Sequence, residues 1–137
     1  MISTDIQIRF SDVDTLRHVN NIVLQHYFDL GKGYYFKEIL DEAPHKWRDN
    51  GFTTASTTTD YFEEVLPEYK IYVTTRVENI GTKSMVFLQE ILNHDTQRVM
   101  SRSRSVMVAF DLVKRESIVI SDALRSRIET HEAESTI

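Results

Sequence analysis

A single long helical pattern, followed by strand patterns with short connections, constrains the fold of this chain more than any other feature. From Asn21 to about Asp41, apolar side chains recur at three- and four-residue spacing and cover nearly half of the predicted helix surface. A helix with so wide an apolar surface needs a large partner, such as a curved sheet. Gly31 falls within the apolar sector, which indicates that another backbone segment lies close to it, whereas the pattern gives no reason for Gly33.

The rest of the chain has the patterns of strands. These patterns cover residues 6–10, 52–62, 69–77, 84–92 and 98–113, and Gly81 marks a hairpin turn between the third and fourth of them. Ser121 can cap a short last helix, and the tail from about Glu129 is polar and expected to fray. Because the later connections are short, we predict an α+β fold in which a long central helix is wrapped by a curved, mostly antiparallel five-stranded sheet.

The length of 137 residues predicts one domain that spans residues 1–137. One helix cannot cover both faces of a five-stranded sheet, so the other face or an edge needs cover from elsewhere. A second subunit is the simplest source of that cover. We therefore expect a homo-oligomer, with dimer and tetramer both left open.

Composition makes several classes of protein less expected. The net charge of −5 argues against a dedicated nucleic-acid binder. The apolar stretches are too short to cross a bilayer, and the first residues lack the features of a signal peptide. The absence of cysteine rules out disulfides, a thiolate nucleophile and a thiolate metal site. We expect a soluble cytoplasmic protein without a membrane or nucleic-acid partner.

The segment before the helix collects the residues best suited to chemistry. It runs Arg-Phe-Ser-Asp-Val-Asp-Thr-Leu-Arg-His-Val-Asn-Asn from Arg9 to Asn21, and it places Asp12, Asp14 and His18 beside a helix start. A helix start offers unpaired N–H groups and a partial positive charge, which can polarise a carbonyl while a carboxylate positions an attacking water. The structural alternative is that Asp14 only makes an Asx-turn or a cap. A calcium loop is excluded because Leu16 and Arg17 occupy the next ligand and glycine positions.

This segment, followed by Tyr27-Phe28, resembles the signature of the hotdog-fold acyl-CoA thioesterases, in the branch that includes 4-hydroxybenzoyl-CoA thioesterase. That signature reads Asp-x-Asp-x-x-Gly-His-Val-Asn-Asn, then Tyr, then Tyr-Phe, then Ala-Arg. The order of helix and strands extends the resemblance over residues from about 5 to 128. Arg17 stands where the signature has Gly, Leu24 where it has Tyr, and Gly31-Lys32 where it has Ala-Arg. These departures leave the fold intact and the substrate class open.

The resemblance implies hydrolysis of an acyl-CoA thioester to a free acid and CoA, with no cofactor other than the CoA part of the substrate. By alignment, Asp14 is the general base or nucleophile, and the backbone N–H of Asn21 polarises the carbonyl. His18 can orient a water, hold Asp14 or contact the acyl group, and it can equally be a packed histidine. The predicted substrate-binding residues are Arg17, Tyr27, Tyr61, Lys83, Ser84, Arg102 and Arg104.

As a group, Lys83, Arg102 and Arg104, together with Arg98, can bind the phosphates of CoA. The alternative for each of these residues taken singly is a solvated position at a strand edge or turn. Most aromatic residues at helical spacing are core residues, which is the alternative for Tyr27 and Tyr61. We predict no metal site. Two other functions stay open: a thioesterase acting on acyl carrier protein, and a non-catalytic module that binds acyl thioesters.

Overall fold

The computed structural model describes residues 1–39 and 50–135. Its elements are β1 (Ile2–Ile6), a 3-10 turn (Phe10–Asp12), α1 (Asn21–Ile39), β2 (Asn50–Tyr61), β3 (Ile71–Ile80), β4 (Ser84–Asn93), β5 (Val99–Asp111), β6 (Glu116–Ser117) and α2 (Asp122–Ser135). The predicted end of the long helix, near Asp41, lies outside the described residues.

All the strands belong to one antiparallel sheet, in the order β1-β3-β4-β5-β2, and the two-residue β6 pairs with the end of β5. Register shifts interrupt the ladders at Thr54/Ser56, Val77/Asn79 and Ile91/Leu92, and such bulges bend a sheet. The prediction of an α+β hotdog fold, with a long helix against a curved antiparallel sheet, is confirmed. No helix among residues 1–39 and 50–135 is long and apolar enough to cross a membrane.

The C-terminal tail, predicted to fray from about Glu129, is instead helical as far as Ser135. Glu132 accounts for the difference, because its Oε1 accepts hydrogen bonds from the Tyr35 hydroxyl at 2.6 Å and from the backbone N–H of Val77 at 2.9 Å. Ile128, one turn earlier, is buried in the core. The polar tail therefore stays helical because Glu132 is bound to α1 and β3 and because Ile128, just before the tail, is buried in the core.

The start of α1 is fixed by Asn20. Its side-chain Oδ1 accepts a hydrogen bond from the N–H of Ile22 at 2.8 Å, and its carbonyl accepts one from the N–H of Leu24 at 3.1 Å. This is the geometry of an N-cap, which satisfies helix donors that have no partner within the helix. From this start, α1 buries a broad surface that includes Leu24, Phe28 and Tyr35.

At Gly31, α1 lies in close contact with the sheet. A Cβ atom at this position would lie 2.8 Å from Thr75 Oγ1, 2.8 Å from Val73 Cγ1 and 2.9 Å from Gln89 Nε2. The close neighbours are thus side chains of β3 and β4, not the backbone segment that the sequence suggested. Gln89 Nε2 also donates hydrogen bonds to the carbonyl of Phe28 at 2.8 Å and to Thr75 Oγ1 at 2.9 Å, which ties the helix to the sheet at this place.

We expect Gly31→Ala to lower the free energy of unfolding by about 1–3 kcal/mol, because the added methyl group overpacks the contact with the sheet. Gly33→Ala is the matched control, since nothing lies within 4 Å of a Cβ atom there. It is expected to gain up to about 1 kcal/mol through helix propensity. Urea unfolding of both variants provides the measurement, and equal effects at the two positions would contradict the close packing at Gly31.

Candidate active site

The segment that carries the signature folds into a small hairpin-like loop before α1. Val13 and Val19 form an antiparallel bridge, and the N–H of Asp14 donates to the carbonyl of His18 at 3.1 Å. The N–H of Val19 donates to the carbonyl of Val65 at 2.8 Å. The loop is therefore held on one side by its own backbone and on the other by the segment that follows β2.

Asp12 braces this loop from the inside. The side chain is buried, and its Oδ2 accepts hydrogen bonds from the N–H of Arg9 at 2.9 Å and from the Tyr27 hydroxyl at 2.6 Å. Burial raises the pKa of the Asp12 carboxyl, but the hydrogen bonds from Tyr27 and Arg9 outweigh it and hold that pKa below its ordinary value. The carboxylate is thus kept charged and is bound to the loop and to α1 through Oδ2.

Tyr27, predicted to bind substrate, lies in the core with 5% of its surface exposed. Burial, followed by the hydrogen bond to Asp12, raises the pKa of its hydroxyl. The hydroxyl donates to Asp12, so the structure places Tyr27 as a partner of that carboxylate.

Arg17 adopts a left-handed backbone conformation with a φ of 65°. Glycine adopts this conformation without steric cost, which explains why the signature has Gly at this position. A side chain with a Cβ atom is strained here by about 1–2 kcal/mol. The Arg17 side chain itself is exposed.

Asp14 makes an Asx-turn, which was the alternative to a catalytic role in the sequence. Its Oδ1 accepts a hydrogen bond from the N–H of Leu16 at 2.9 Å. Its other oxygen, Oδ2, accepts no hydrogen bond within the described part of the chain. The turn and a chemical role are therefore compatible: one oxygen orients the carboxylate and the second is available to a water or a substrate.

His18 is half-buried, and its Nδ1 lies 3.1 Å from the carbonyl oxygen of Val19. A carbonyl only accepts, so Nδ1 carries the proton in this contact, and Nε2 of the neutral ring is an acceptor. Nε2 has no hydrogen-bond partner in residues 1–39 and 50–135.

A cavity of about 170 Å³ lies beside the helix start. It is lined by His18, Val19, Asn21, Leu24 and residues 61–65. The N–H of Asn21, the first residue of α1, has no hydrogen-bond partner among the described residues, as expected for the first turn of a helix. The structure thus brings His18, Asn21 and Tyr61 together at this cavity, while Asp14 and Arg17 are outside its lining.

The other predicted substrate-binding residues do not reach this cavity. Arg102 and Arg104 alternate with buried serines on β5 and lie on the outer face, where they pair with Glu90 at 2.7 Å and Glu78 at 2.9 Å. Ser84 pairs with Val108, and Tyr61 pairs with Ser101, which is seven residues away on β5. At about 3.3 Å per residue, Lys83 and Ser84 therefore lie roughly 23 Å along the sheet from Tyr61.

Sequence analysis missed three polar residues near the site. Glu63 and Glu64 line the cavity, and Gln25 joins α1 to β2 just beyond it. The signal available for Glu64 was that it follows the Asp-Tyr strand, where the signature family commonly has Pro. Gln25 lies outside the apolar stripe of the helix sequence, and only its placement against β2 identifies it. No group of three His, Asp or Glu residues in the described ranges is arranged to hold a metal ion.

Comparisons with known proteins identify the family. Residues 8–128 match the family described as the Thioesterase-like superfamily. A predicted thioesterase from Bacillus stearothermophilus has a similar structure, with a TM-score of 0.83 and 26% identity over 94% of each chain. A thioesterase from Thermus thermophilus, complexed with coenzyme A and Zn, gives a TM-score of 0.83 and 24% identity over 96% of this chain and 93% of that one.

The fold and the loop before α1 thus define the class of hotdog-fold thioesterases. The chain belongs to the Thioesterase-like superfamily. The uncharacterized protein YsmA of Bacillus subtilis (strain 168) is 30% identical over 89 residues, which is 64% of this chain and 59% of that protein. The chain therefore matches somewhat over half the length of that relative.

We expect Arg17→Gly to be more stable than Arg17→Ala by up to about 1 kcal/mol, because only glycine relieves the left-handed strain. Both variants lose the arginine side chain, so the comparison isolates the backbone. Arg9 is the control, because its φ of −100° lies outside the left-handed region. At this position we expect Arg9→Gly to be less stable than Arg9→Ala, since glycine gains more freedom in the unfolded chain. Denaturant midpoints measure the order, and the same order at both positions would contradict the strain at Arg17.

We expect Tyr27→Phe to lower the free energy of unfolding at pH 7 by about 1–3 kcal/mol, because Asp12 loses a donor in a buried place. The pKa of Asp12 is lower in the folded protein than in the unfolded chain, so its stabilising effect is complete above about pH 4 and is lost as the pH falls through the folded value. The difference between wild type and variant should therefore shrink at pH 3.

Tyr72→Phe is the control for this measurement, since the Tyr72 hydroxyl donates at 2.6 Å to an exposed amide, Gln97. Its effect should be small and independent of pH. Urea unfolding at the two pH values decides the matter, and a Tyr27→Phe effect of equal size at pH 7 and pH 3 would show that Asp12 is not the partner responsible.

Proposed function

We propose that this protein hydrolyses acyl-CoA thioesters to a free acid and CoA. The observation that carries the proposal is the N–H of Asn21, which has no partner in the described chain and lies at a helix start that lines a cavity. Membership of the Thioesterase-like superfamily supports thioester hydrolysis as the class of reaction. Coenzyme A bound to the Thermus thermophilus relative supports CoA as the thiol part of the substrate.

The helix start supplies stabilisation of negative charge at the carbonyl oxygen. When a nucleophile attacks the thioester carbon, that oxygen gains charge, and a preformed N–H donor at the positive end of a helix stabilises it without reorganisation. Asn20 keeps its own cap bonds to Ile22 and Leu24, so it holds the helix start in place and leaves the N–H of Asn21 to the substrate.

Asp14 supplies the nucleophile, either as the base that takes a proton from water or by attacking the carbonyl carbon itself. Its Oδ1 is fixed by Leu16, which leaves Oδ2 to react. His18 Nε2, an acceptor in the tautomer set by Val19, can hold the attacking water. If Asp14 acts as the base, the hydroxide adds to the carbonyl carbon, the C–S bond breaks, and the departing thiolate of CoA takes the proton that Asp14 removed from the water. If Asp14 attacks, the C–S bond breaks to leave an acyl anhydride on Asp14. A water then hydrolyses that anhydride to the free acid, restores the carboxylate and supplies the proton that the thiolate takes. The proposed reaction uses no metal and no cofactor apart from the CoA carried by the substrate.

We further propose that the site is completed by a second copy of the chain in a homodimer or homotetramer. Strand β2 lies at an edge of the described sheet, and residues 53–58 on it are exposed. Leu30 and Tyr34 on α1 expose 46% and 47% of their surfaces. An open edge strand beside exposed apolar side chains is a surface that oligomers cover.

Coenzyme A in the Thermus thermophilus relative favours CoA over acyl carrier protein as the carrier. Arg102 and Arg104 do not distinguish the two anionic carriers, because both are paired with glutamates on the outer face of the sheet. A thioesterase acting on carrier protein stays the alternative that the substrate panel below tests.

We expect Asp14→Asn to reduce the release of free thiol from acyl-CoA substrates by about 100-fold or more, because the amide neither accepts the proton nor attacks. Asp95→Asn, an exposed turn residue, is the matched control and should retain wild-type rates. The assay follows thiol release from a panel of acyl-CoA and acyl-carrier-protein thioesters.

Each outcome of that assay is decisive. Turnover of carrier-protein thioesters alone would replace CoA as the substrate. Absence of thiol release from every thioester, with binding of the same thioesters in a titration, would indicate a non-catalytic acyl-thioester module. Full activity in Asp14→Asn would remove Asp14 from the mechanism.

A further inference from the structure

We infer that Gln25 ends the acyl-binding part of the site, so that the enzyme accepts short acyl groups and rejects long alkyl chains. This inference rests on the proposed function, since it concerns the acyl group of the same thioester. It starts from the position of Gln25 on α1, four residues after Asn21, so that both side chains lie on the same side of the helix.

Gln25 closes the cleft between α1 and β2. Its Nε2 donates hydrogen bonds to Thr59 Oγ1 at 3.0 Å and to the Tyr61 hydroxyl at 2.9 Å. Tyr61 lines the cavity at the helix start, and Gln25 does not. An acyl group that enters from the cavity and runs along α1 therefore meets the Gln25–Tyr61 bond directly behind the cavity wall.

The wall behind this bond is polar. Thr59 Oγ1, which accepts from Gln25, donates in turn to Ser103 Oγ at 3.0 Å, and Ser103 is 1% exposed. On the same two strands, Thr57 Oγ1 and Ser105 Oγ lie 3.3 Å apart. A long alkyl chain that displaced Gln25 would break both of its bonds and face buried hydroxyl groups without offering them a partner.

The size of the cavity agrees with a short acyl group. Its volume is about 170 Å³. Pockets that hold drug-sized ligands are about 300–1,000 Å³, so this cavity favours a short acyl group over a long alkyl chain.

The test compares chain-length preference in wild type, Gln25→Ala and Thr59→Val. For hydrolysis, the measured quantity is the ratio of kcat/KM for butyryl-CoA to that for decanoyl-CoA. For binding, it is the ratio of Kd values for S-butyl-CoA and S-decyl-CoA, thioethers that cannot be hydrolysed. Gln7→Ala is the matched control, since Gln7 is exposed and has no hydrogen bond in the described chain.

We expect wild type and Gln7→Ala to prefer the short chain, and Gln25→Ala to lower this preference by roughly tenfold or more, since pocket contacts with a few carbons discriminate on that scale. Thr59→Val keeps the bulk of both side chains and removes one of the two bonds of Gln25, together with the bond from Thr59 to Ser103, so it should shift the preference in the same direction by less. It also provides the answer if Gln25→Ala does not fold.

A wild-type enzyme that hydrolyses both chain lengths equally, or an unchanged preference in both variants, would overturn the role of Gln25. Absence of turnover, with a chain-length preference in thioether binding that Gln25→Ala shifts, would overturn the proposed hydrolysis and leave the acyl site intact. Absence of binding to every thioether would overturn both.

Discussion

The candidate site depends on the buried carboxylate of Asp12. A charge that is removed from water must be met by donors, and here one oxygen meets the N–H of Arg9 and the hydroxyl of Tyr27. The carbonyl of the same residue accepts from the N–H of Asn20 at 3.0 Å. Asp12 therefore links the 3-10 turn, the loop and α1, and it fixes the helix start relative to that loop.

The two carboxylates of the signature, Asp12 and Asp14, have different surroundings and therefore different roles in the proposed site. Asp12 is buried, and its Oδ2 accepts from two donors that tie it to the loop and to α1. Asp14 lies at the edge of the same loop, where one oxygen is fixed by Leu16 and the other faces no partner in the described chain. The loop that presents Asp14 contains the left-handed Arg17. Strain of this kind persists where the surrounding hydrogen bonds over-determine the backbone, as the bonds of Asp12 and Val19 do here.

Polar side chains between α1 and the sheet set the character of the proposed acyl site. Helix and sheet meet mostly through apolar side chains, with a close contact to Thr75, Val73 and Gln89 at Gly31. Near the helix start a polar contact runs from Gln25 through Thr59 to Ser103 on β5. A substrate bound in the cavity there meets the apolar residues Val19, Leu24 and Val65 and has this polar contact beside it. The basic residues of β5 take no part, because alternation along the strand turns them to the opposite face.

The sequence placed the first strand at residues 6–10, whereas it lies at Ile2–Ile6. It did determine the long helix, the later strands, the antiparallel character of the sheet and the loop that carries the signature. These follow from local periodicity and from side chains that bond within a few residues of themselves. Only the tertiary structure decided that the Tyr27 hydroxyl donates to Asp12 and that Gln25 binds β2. It also decided that Arg102 and Arg104 form ion pairs on the outer face of the sheet. The Gln25 contacts join residues 34 and 36 positions apart, and the pairing of Arg104 with Glu78 spans 26. Contacts at such separations depend on strand register and sheet curvature, which a periodic pattern does not contain.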